Sequence, residues 1–199
     1  MSLKFAVNNS LSAITSLPSS ISGGALNLIS TQTASASASL EFSLDDSYDS
    51  YVFKFINIHP SSSGSNFQFN FSTDNGSNYN VTKTSTAILT YHDEADTSTG
   101  LIYAGGLDLA QSTGFQTISH NLGNASDENS SGTLKIFNPS SSVFVKHFIS
   151  DINFYNANSN TSRDLIAGYG NTTFPITNIK FIMNSGNIDD GIIKMYGVS

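Results

Sequence analysis

The chain of 199 residues contains no cysteine and no tryptophan, only four prolines, and few charged side chains. Without cysteine it can form neither a disulfide framework nor a thiolate metal site. Eight Lys and Arg face 15 Asp and Glu, which argues against a nucleic-acid binder, because neutralising phosphate requires these cations. No apolar run approaches the roughly 20 residues of a membrane-spanning helix. The first ten residues also lack the continuous apolar stretch of a signal peptide. We therefore expect no nucleic-acid partner and no membrane insertion.

Small polar residues and aromatic residues dominate what is present. Ser, Thr and Asn number 35, 17 and 21, so the surface is hydrated by hydroxyls and amides rather than by ions. Phe and Tyr number 14 and 8, which is enough to support a core and argues against a disordered chain.

Period-two alternation of apolar and polar residues runs through most of the chain. It is clearest at 66–72, where Phe67, Phe69 and Phe71 alternate with polar residues, and it predicts that these Phe, with Phe53 and Phe55, face a core. About eleven such segments are separated by Gly, Asn, Ser and Asp turns. Because parallel sheets need crossover helices, this spacing predicts an all-β fold, an antiparallel jelly-roll-like β-sandwich over 26–199. The Ser-rich residues 1–25 end near two glycines and are predicted to form an N-terminal arm.

Three local features make sharper predictions. Asn75-Gly76 is a strong hairpin signal, with 79–82 as the returning strand. The segment 184–191 is predicted to be the loop of a closing hairpin at the end of the chain, because it is rich in Gly and Asn. Residues 108–112 could form one short helix.

Acidic side chains cluster in three loops, and the first cluster contains Asp45, Asp46 and Asp49. None of the clusters matches a twelve-residue calcium loop, and Asp is also an ordinary turn residue. We therefore expect no bound metal and no cofactor. If a metal were bound, these three Asp would be its candidate ligands.

Ligand-binding candidates lie where aromatic residues adjoin acidic loops. Tyr48, Tyr91, His92 and Asp93 combine a ring that can stack on a sugar with polar groups that can bind its hydroxyls. No nucleophile elbow or paired-histidine metal motif occurs, so the sequence favours a protein that is not an enzyme.

Three segments carry a resemblance to a known family: LISTQTAS from residue 28, YDSYVFKFINIHP from residue 48, and IMNSGNIDDGIIKMYGV from residue 182. Over about 26–199 the chain resembles virion structural proteins of tailed bacteriophages, especially marine cyanophages. The resemblance implies a capsid decoration, tail or fibre component, made in the bacterial cytoplasm and then located in the virion. Its expected partners are other virion proteins, further copies of itself (a trimer is one option) and a host-surface glycan, which would serve attachment. The alternatives are a lectin-like carbohydrate-binding module and, ranked below it, a polysaccharide hydrolase.

Overall fold

The computed structural model describes residues 26–199, so the predicted arm over 1–25 lies outside the described residues. These residues form twelve strands and no helix, so none of them forms a helix able to cross a membrane. The strands are β1 (Asn27–Ser37), β2 (Leu40–Ser43), β3 (Ser50–Pro60), β4 (Ser65–Ser72), β5 (Lys83–Asp93), β6 (Thr99–Tyr103), β7 (Gln116–Leu122), β8 (Ser130–Phe137), β9 (Lys146–Tyr155), β10 (Asn160–Gly170), β11 (Asn178–Met183) and β12 (Ile188–Val198).

Two antiparallel sheets pack face to face. The large sheet has eight strands in the order β1-β12-β3-β8-β9-β10-β5-β6, and the small sheet has four in the order β2-β11-β4-β7. Strand β1 pairs with β12, β2 with β11, β3 with β8 and β4 with β7. These four pairs are those of a long antiparallel ribbon wrapped into a sandwich, which is the jelly-roll topology. The predicted fold class is confirmed.

Four strands are additional to this wrapped ribbon. β5 and β6 lie between β4 and β7 in the chain, β9 and β10 lie between β8 and β11, and all four extend the large sheet beyond β8. The large sheet is consequently twice as wide as the small one. β7, the edge of the small sheet, packs over β9 and β10, so β5 and β6 extend past it.

The core between the sheets is built largely from phenylalanine. Phe53, Phe55, Phe67, Phe69 and Phe71 are all at most 2% exposed, as the alternation predicts. The small sheet contributes a further ring, and it contacts partners from both sheets: Phe181 lies with its ring centroid 5.3 Å from those of Phe53 and Phe55 and 5.7 Å from that of Phe67. The pairs with Phe53 and Phe55 are edge-to-face and that with Phe67 is stacked, and such aromatic pairs stabilise a core beyond the area that they bury.

A β-bulge in β3 interrupts its alternation. Asn57 has φ +52° and the register shifts between Phe55 and Ile58, so Ile58 turns inward and is fully buried. Strict alternation would have placed Ile58 on the outer face, beside Ile56. The neighbouring strand accommodates the bulge with Gly191, whose φ is +124° and whose added Cβ would lie 2.8 Å from the carbonyl oxygen of Asn57.

Both predicted hairpins and the short helix are wrong. β4 has β11 on one edge and β7 on the other, so no edge is left for 79–82, which is not a strand. The Asn70 side-chain amide instead donates to the Tyr79 carbonyl at 2.7 Å, and the Tyr79 hydroxyl donates to Glu41 of β2. β11 and β12 lie in different sheets, so 184–187 is a crossover between sheets. Residues 108–112 are not helical, because their main chain bonds to β5: the Ser85 amide donates to the Leu109 carbonyl at 2.9 Å.

Candidate functional site

The two tyrosines proposed from the sequence lie at opposite ends of the large sheet. The register can be followed from β3 through β8, β9 and β10 to β5. It aligns the start of β3 with Ser85 of β5, and it aligns Ile58, near the other end of β3, with Tyr91. Tyr48, two residues before the start of β3, packs edge-to-face on Tyr51 with ring centroids 5.8 Å apart. The four predicted ligand-binding residues therefore do not form one site, and Tyr48 has a packing role.

The first acidic cluster forms a turn. The Tyr51 hydroxyl donates to Asp45 Oδ1 at 2.5 Å, and the Ser47 amide donates to the same oxygen at 3.0 Å. The bond from Tyr51 is the main reason that the pKa of Asp45 lies below its usual value. Asp46 and Asp49 do not join Asp45 in a ligand set, because residues 26–199 contain no group of three or more His, Asp or Glu placed to hold a metal ion.

His92 and Asp93 close the β5–β6 hairpin. Asp93 Oδ1 accepts the amides of Thr97 and Ser98, each at 2.8 Å, while Oδ2 accepts the Thr97 hydroxyl. These bonds, that of the Thr97 side chain first, lower the pKa of Asp93. His92 Nε2 lies 3.2 Å from Asp96 Oδ1 in the same hairpin. His92 and Asp93 line a depression on the outer face of the large sheet, together with Asn153 of β9 and Thr161 of β10.

Tyr91 projects from the opposite, inner face, where the large sheet extends past β7. We call the inner-face residues Leu89, Tyr91, Gly100 and Ile102 of β5 and β6 the inner shelf. Tyr91 faces Gly100 across the two strands, and an added Cβ on Gly100 would lie 2.5 Å from Cε1 of the tyrosine. The missing side chain of Gly100 therefore lets the aromatic ring lie across β6. Ile102 remains 47% exposed, so the shelf is not covered by the small sheet.

His120 stands beside the inner shelf, backed by a buried carboxylate. Its Nδ1 lies 2.9 Å from Asp164 Oδ2, and its ring packs edge-to-face on Phe154 with centroids 5.3 Å apart. Asp164 is fully buried on the inner face of β10, its Oδ1 has no hydrogen-bond partner, and burial raises its pKa. A buried carboxylate that is only partly satisfied is costly. The contact with Asp164 fixes the orientation of the His120 ring and leaves Nε2 available to bind a ligand.

The β9–β10 turn completes a cavity of about 210 Å³ above the shelf. The cavity is lined by Leu89, Tyr91, His120, Ser162 and the three asparagines of the turn, at 156, 158 and 160. Asn156 shapes the turn: its Oδ1 accepts the amides of Asn158 and Asn160, and its Nδ2 donates to the Ser162 hydroxyl at 3.0 Å. The side-chain amides of Asn158 and Asn160 make no hydrogen bond to other described residues, and they can bind a ligand.

Two buried lysines lie at the other end of the added strands, on either side of Gly170. Lys83 Nζ donates to Asn70 Oδ1 and to the Val81 carbonyl, and Lys146 Nζ donates to the carbonyls of Phe144 and Thr172. Neither belongs to any ion pair among residues 26–199. Burial lowers the pKa of Lys83 to about 7 and lowers that of Lys146 as well.

Sequence reasoning identified Tyr91 but missed His120, Asp164 and the two lysines. A signal existed for Asp164, because it stands at an inward position between Ser162 and Ile166 in an otherwise regular alternation. His120 carries no comparable local signal, since it meets Asp164 across 44 residues of chain.

Fold and site together define a jelly-roll β-sandwich with a four-stranded extension that bears a small polar cavity. No family model, no curated protein and no solved structure matches the chain.

Proposed function

We propose that this protein is a non-enzymatic structural component of a bacteriophage virion, exposed on the particle surface and associated with further copies of itself. The jelly roll supports the proposal because it recurs in viral capsid proteins, although it also occurs in lectins. The resemblance of residues 26–199 to tailed-phage virion proteins adds to it. A surface rich in hydroxyls and amides suits a protein that is synthesised in the bacterial cytoplasm and then exposed outside.

The observation that carries the proposal is the edge of the large sheet at β6, which pairs with no further strand among residues 26–199. Leu101, Ile102 and Tyr103 are 72%, 47% and 61% exposed in this five-residue strand, and no charged side chain interrupts them. Natural proteins usually protect edge strands with charge, proline or a covering segment, because unpaired main-chain groups invite pairing with another chain. An apolar, uncharged edge is therefore suited to assembly.

A second copy of the chain is the proposed partner at this edge. Two β6 strands related by a two-fold axis would pair antiparallel, as isologous interfaces require. Leu101 and Tyr103 of β6 lie on the outer face of the large sheet beside Ile88 of β5, which is 43% exposed. Pairing of two β6 strands would therefore also bring together the apolar patches that these residues form on each copy.

Light scattering after size-exclusion chromatography tests the assembly. We expect the wild-type chain to be oligomeric and Leu101→Lys to shift it toward the monomer, because a lysine at an unpaired edge opposes pairing. Phe174→Lys is the matched control, since Phe174 is equally exposed at 72% but lies in a loop. A monomeric wild type, or equal oligomers in all three proteins, would contradict the proposed interface.

Immunogold electron microscopy of purified particles tests the location. We expect label on the surface of intact virions, and Phe174→Lys should be incorporated as well as the wild type. Detection of the protein only in the lysate, and never on particles, would contradict the proposed function.

A further inference from the structure

The inner shelf is an aromatic and aliphatic surface that residues 26–199 leave open at Tyr91 and Ile102. Its position follows from the unequal widths of the two sheets: β7 covers β9 and β10, and β5 and β6 extend beyond it. The half of β5 nearer Lys83 is covered differently, since Gln116 Oε1 accepts the Ser85 hydroxyl at 2.6 Å and Leu107 packs against the core. At Tyr91 this cover is missing, and the cavity opens there.

The cavity presents an aromatic floor and a polar wall. The ring of Tyr91 lies across β6 because Gly100 has no side chain, so a broad apolar surface is held in place. Around it stand the free amides of Asn158 and Asn160, the Ser162 hydroxyl and Nε2 of His120. An apolar ring face surrounded by amide, hydroxyl and imidazole groups matches a sugar, whose C–H face stacks on the ring while its hydroxyls form hydrogen bonds.

Charge and size narrow the ligand further. Among residues 26–199, no lysine, arginine, aspartate or glutamate lines the cavity, and the Asp164 carboxylate is fully buried behind His120. A phosphate, sulfate or carboxylate would therefore find no counter-charge except a protonated imidazole. A volume of about 210 Å³ is smaller than usual drug-sized pockets. It suits one sugar residue at the end or side of a longer glycan.

We propose that this cavity binds a neutral sugar residue, with Tyr91 as the stacking platform and His120, positioned by Asp164, as a hydrogen-bonding wall. The inference deepens the proposed function, because it gives the proposed virion protein a class of ligand. It rests on that function only for the expectation that the protein encounters host-surface glycans. It separates Tyr91 from His92, which lies on the outer face, and from Asp93, whose carboxylate already accepts hydrogen bonds within the hairpin.

The histidines provide a direct readout, because the chain has only four. We would label the intact protein with ¹³C-histidine, assign the four imidazole cross-peaks with single His→Gln variants, and titrate the methyl glycosides of glucose, galactose, mannose and N-acetylglucosamine. We expect at least one of these sugars to shift the His120 cross-peak in a saturable manner and to leave that of His92 in place. No shift with any of the four sugars, or a shift of His92 instead, would overturn the inference.

Variants then test the stacking platform. Tyr91→Ala should weaken binding by roughly tenfold or more, whereas Tyr91→Phe keeps the ring and should stay within about threefold of the wild type. Tyr169→Ala is the control, because Tyr169 lies on the outer face of β10 beside His147 and should bind like the wild type. Equal affinity of Tyr91→Ala and wild type would overturn the inference. Should Tyr91→Ala fail to fold, His120→Gln serves in its place, with loss of sugar binding expected and unchanged affinity as the contrary result.

Particle incorporation separates this inference from the proposed function. Tyr91→Ala leaves β6 unchanged on its outer face, so it should enter virions as the wild type does. Normal incorporation without any sugar binding overturns the sugar site alone. Sugar binding by a protein that is never found on particles overturns the virion assignment alone.

Discussion

The burial of Lys83 predicts that the protein becomes more stable as the pH rises above neutrality. Lys83 is fully buried and only neutral acceptors meet its Nζ, and burial lowers its pKa from 10.5 to about 7. Below about pH 7 the lysine is protonated in both states, so the folded protein bears the full cost of a buried ammonium. Above about pH 7 the folded protein releases the proton while the unfolded chain keeps it. Stability rises wherever the unfolded state binds more protons.

The size of the effect follows from the two pKa values. Linkage between a folded pKa of about 7 and an unfolded pKa of 10.5 gives a rise of roughly 2.5 kcal/mol in the free energy of unfolding between about pH 6 and about pH 9. The gain ends near the unfolded pKa, above which neither state holds the proton. A change of this size is a large part of the stability of a single domain.

Urea denaturation across this pH range, on the wild type and on Lys83→Met, measures the contribution. Methionine keeps most of the side-chain volume and cannot carry charge, so the difference between the two proteins removes the contributions of Lys146 and the histidines. We expect that difference to change by roughly 2.5 kcal/mol in favour of the wild type as the pH rises. Lys135→Met, at an exposed position, should run parallel to the wild type. A difference for Lys83→Met that stays constant with pH would refute the reasoning.

Stability measurements test the fold itself. Phe69→Ala should lower the free energy of unfolding by roughly 3–5 kcal/mol, as truncated core aromatics do, and a loss below about 0.5 kcal/mol in a urea titration would contradict its central place. Gly191→Ala should cost more than about 2 kcal/mol, because φ is +124° and the new Cβ would meet the Asn57 carbonyl; an unchanged melting temperature would count against the bulge. Asp189→Ala should change stability by less than about 0.5 kcal/mol, and a calcium-dependent rise in melting temperature that this substitution abolishes would instead indicate a metal site. Deletion of 190–199 should abolish the β-sheet signal in circular dichroism, because β12 lies between β1 and β3.

Alternation along the sequence was sufficient to predict the buried face of β4, but it failed in β3 beyond the bulge at Asn57, where Ile58 turns inward. At Phe67, Phe69 and Phe71 the period-two pattern alone identifies the inward side chains, because a half-buried strand admits no other register. Which strands become neighbours was not predictable in the same way. Asn75-Gly76 makes a turn of the sort found in hairpins, yet β4 pairs with β11 and β7, since partner choice depends on the wrapping of the whole ribbon.

The candidate site was less predictable than the fold, for a physical reason. Tyr91 could be selected because aromatic and acidic residues adjoin there, but the face on which its ring lies depends on Gly100 in another strand. His120 comes from the small sheet and Asp164 from the large one, so their contact exists only once the sandwich has closed. The inward positions of Asp164 and Ser162 in β10 are local signs that this part of the interior is not purely apolar.

The origin of each part of the cavity has a consequence for how such proteins diversify. Tyr91, Gly100, Ser162 and the asparagine turn all belong to the four added strands or to the turns that join them, and His120 alone comes from the eight-stranded jelly roll. Substitutions, insertions and deletions in the added strands can therefore remodel the proposed sugar site while the Phe-rich core stays intact. On the proposed function, exchange of the two added hairpins would change which host surface the protein meets, with no redesign of the scaffold that carries them.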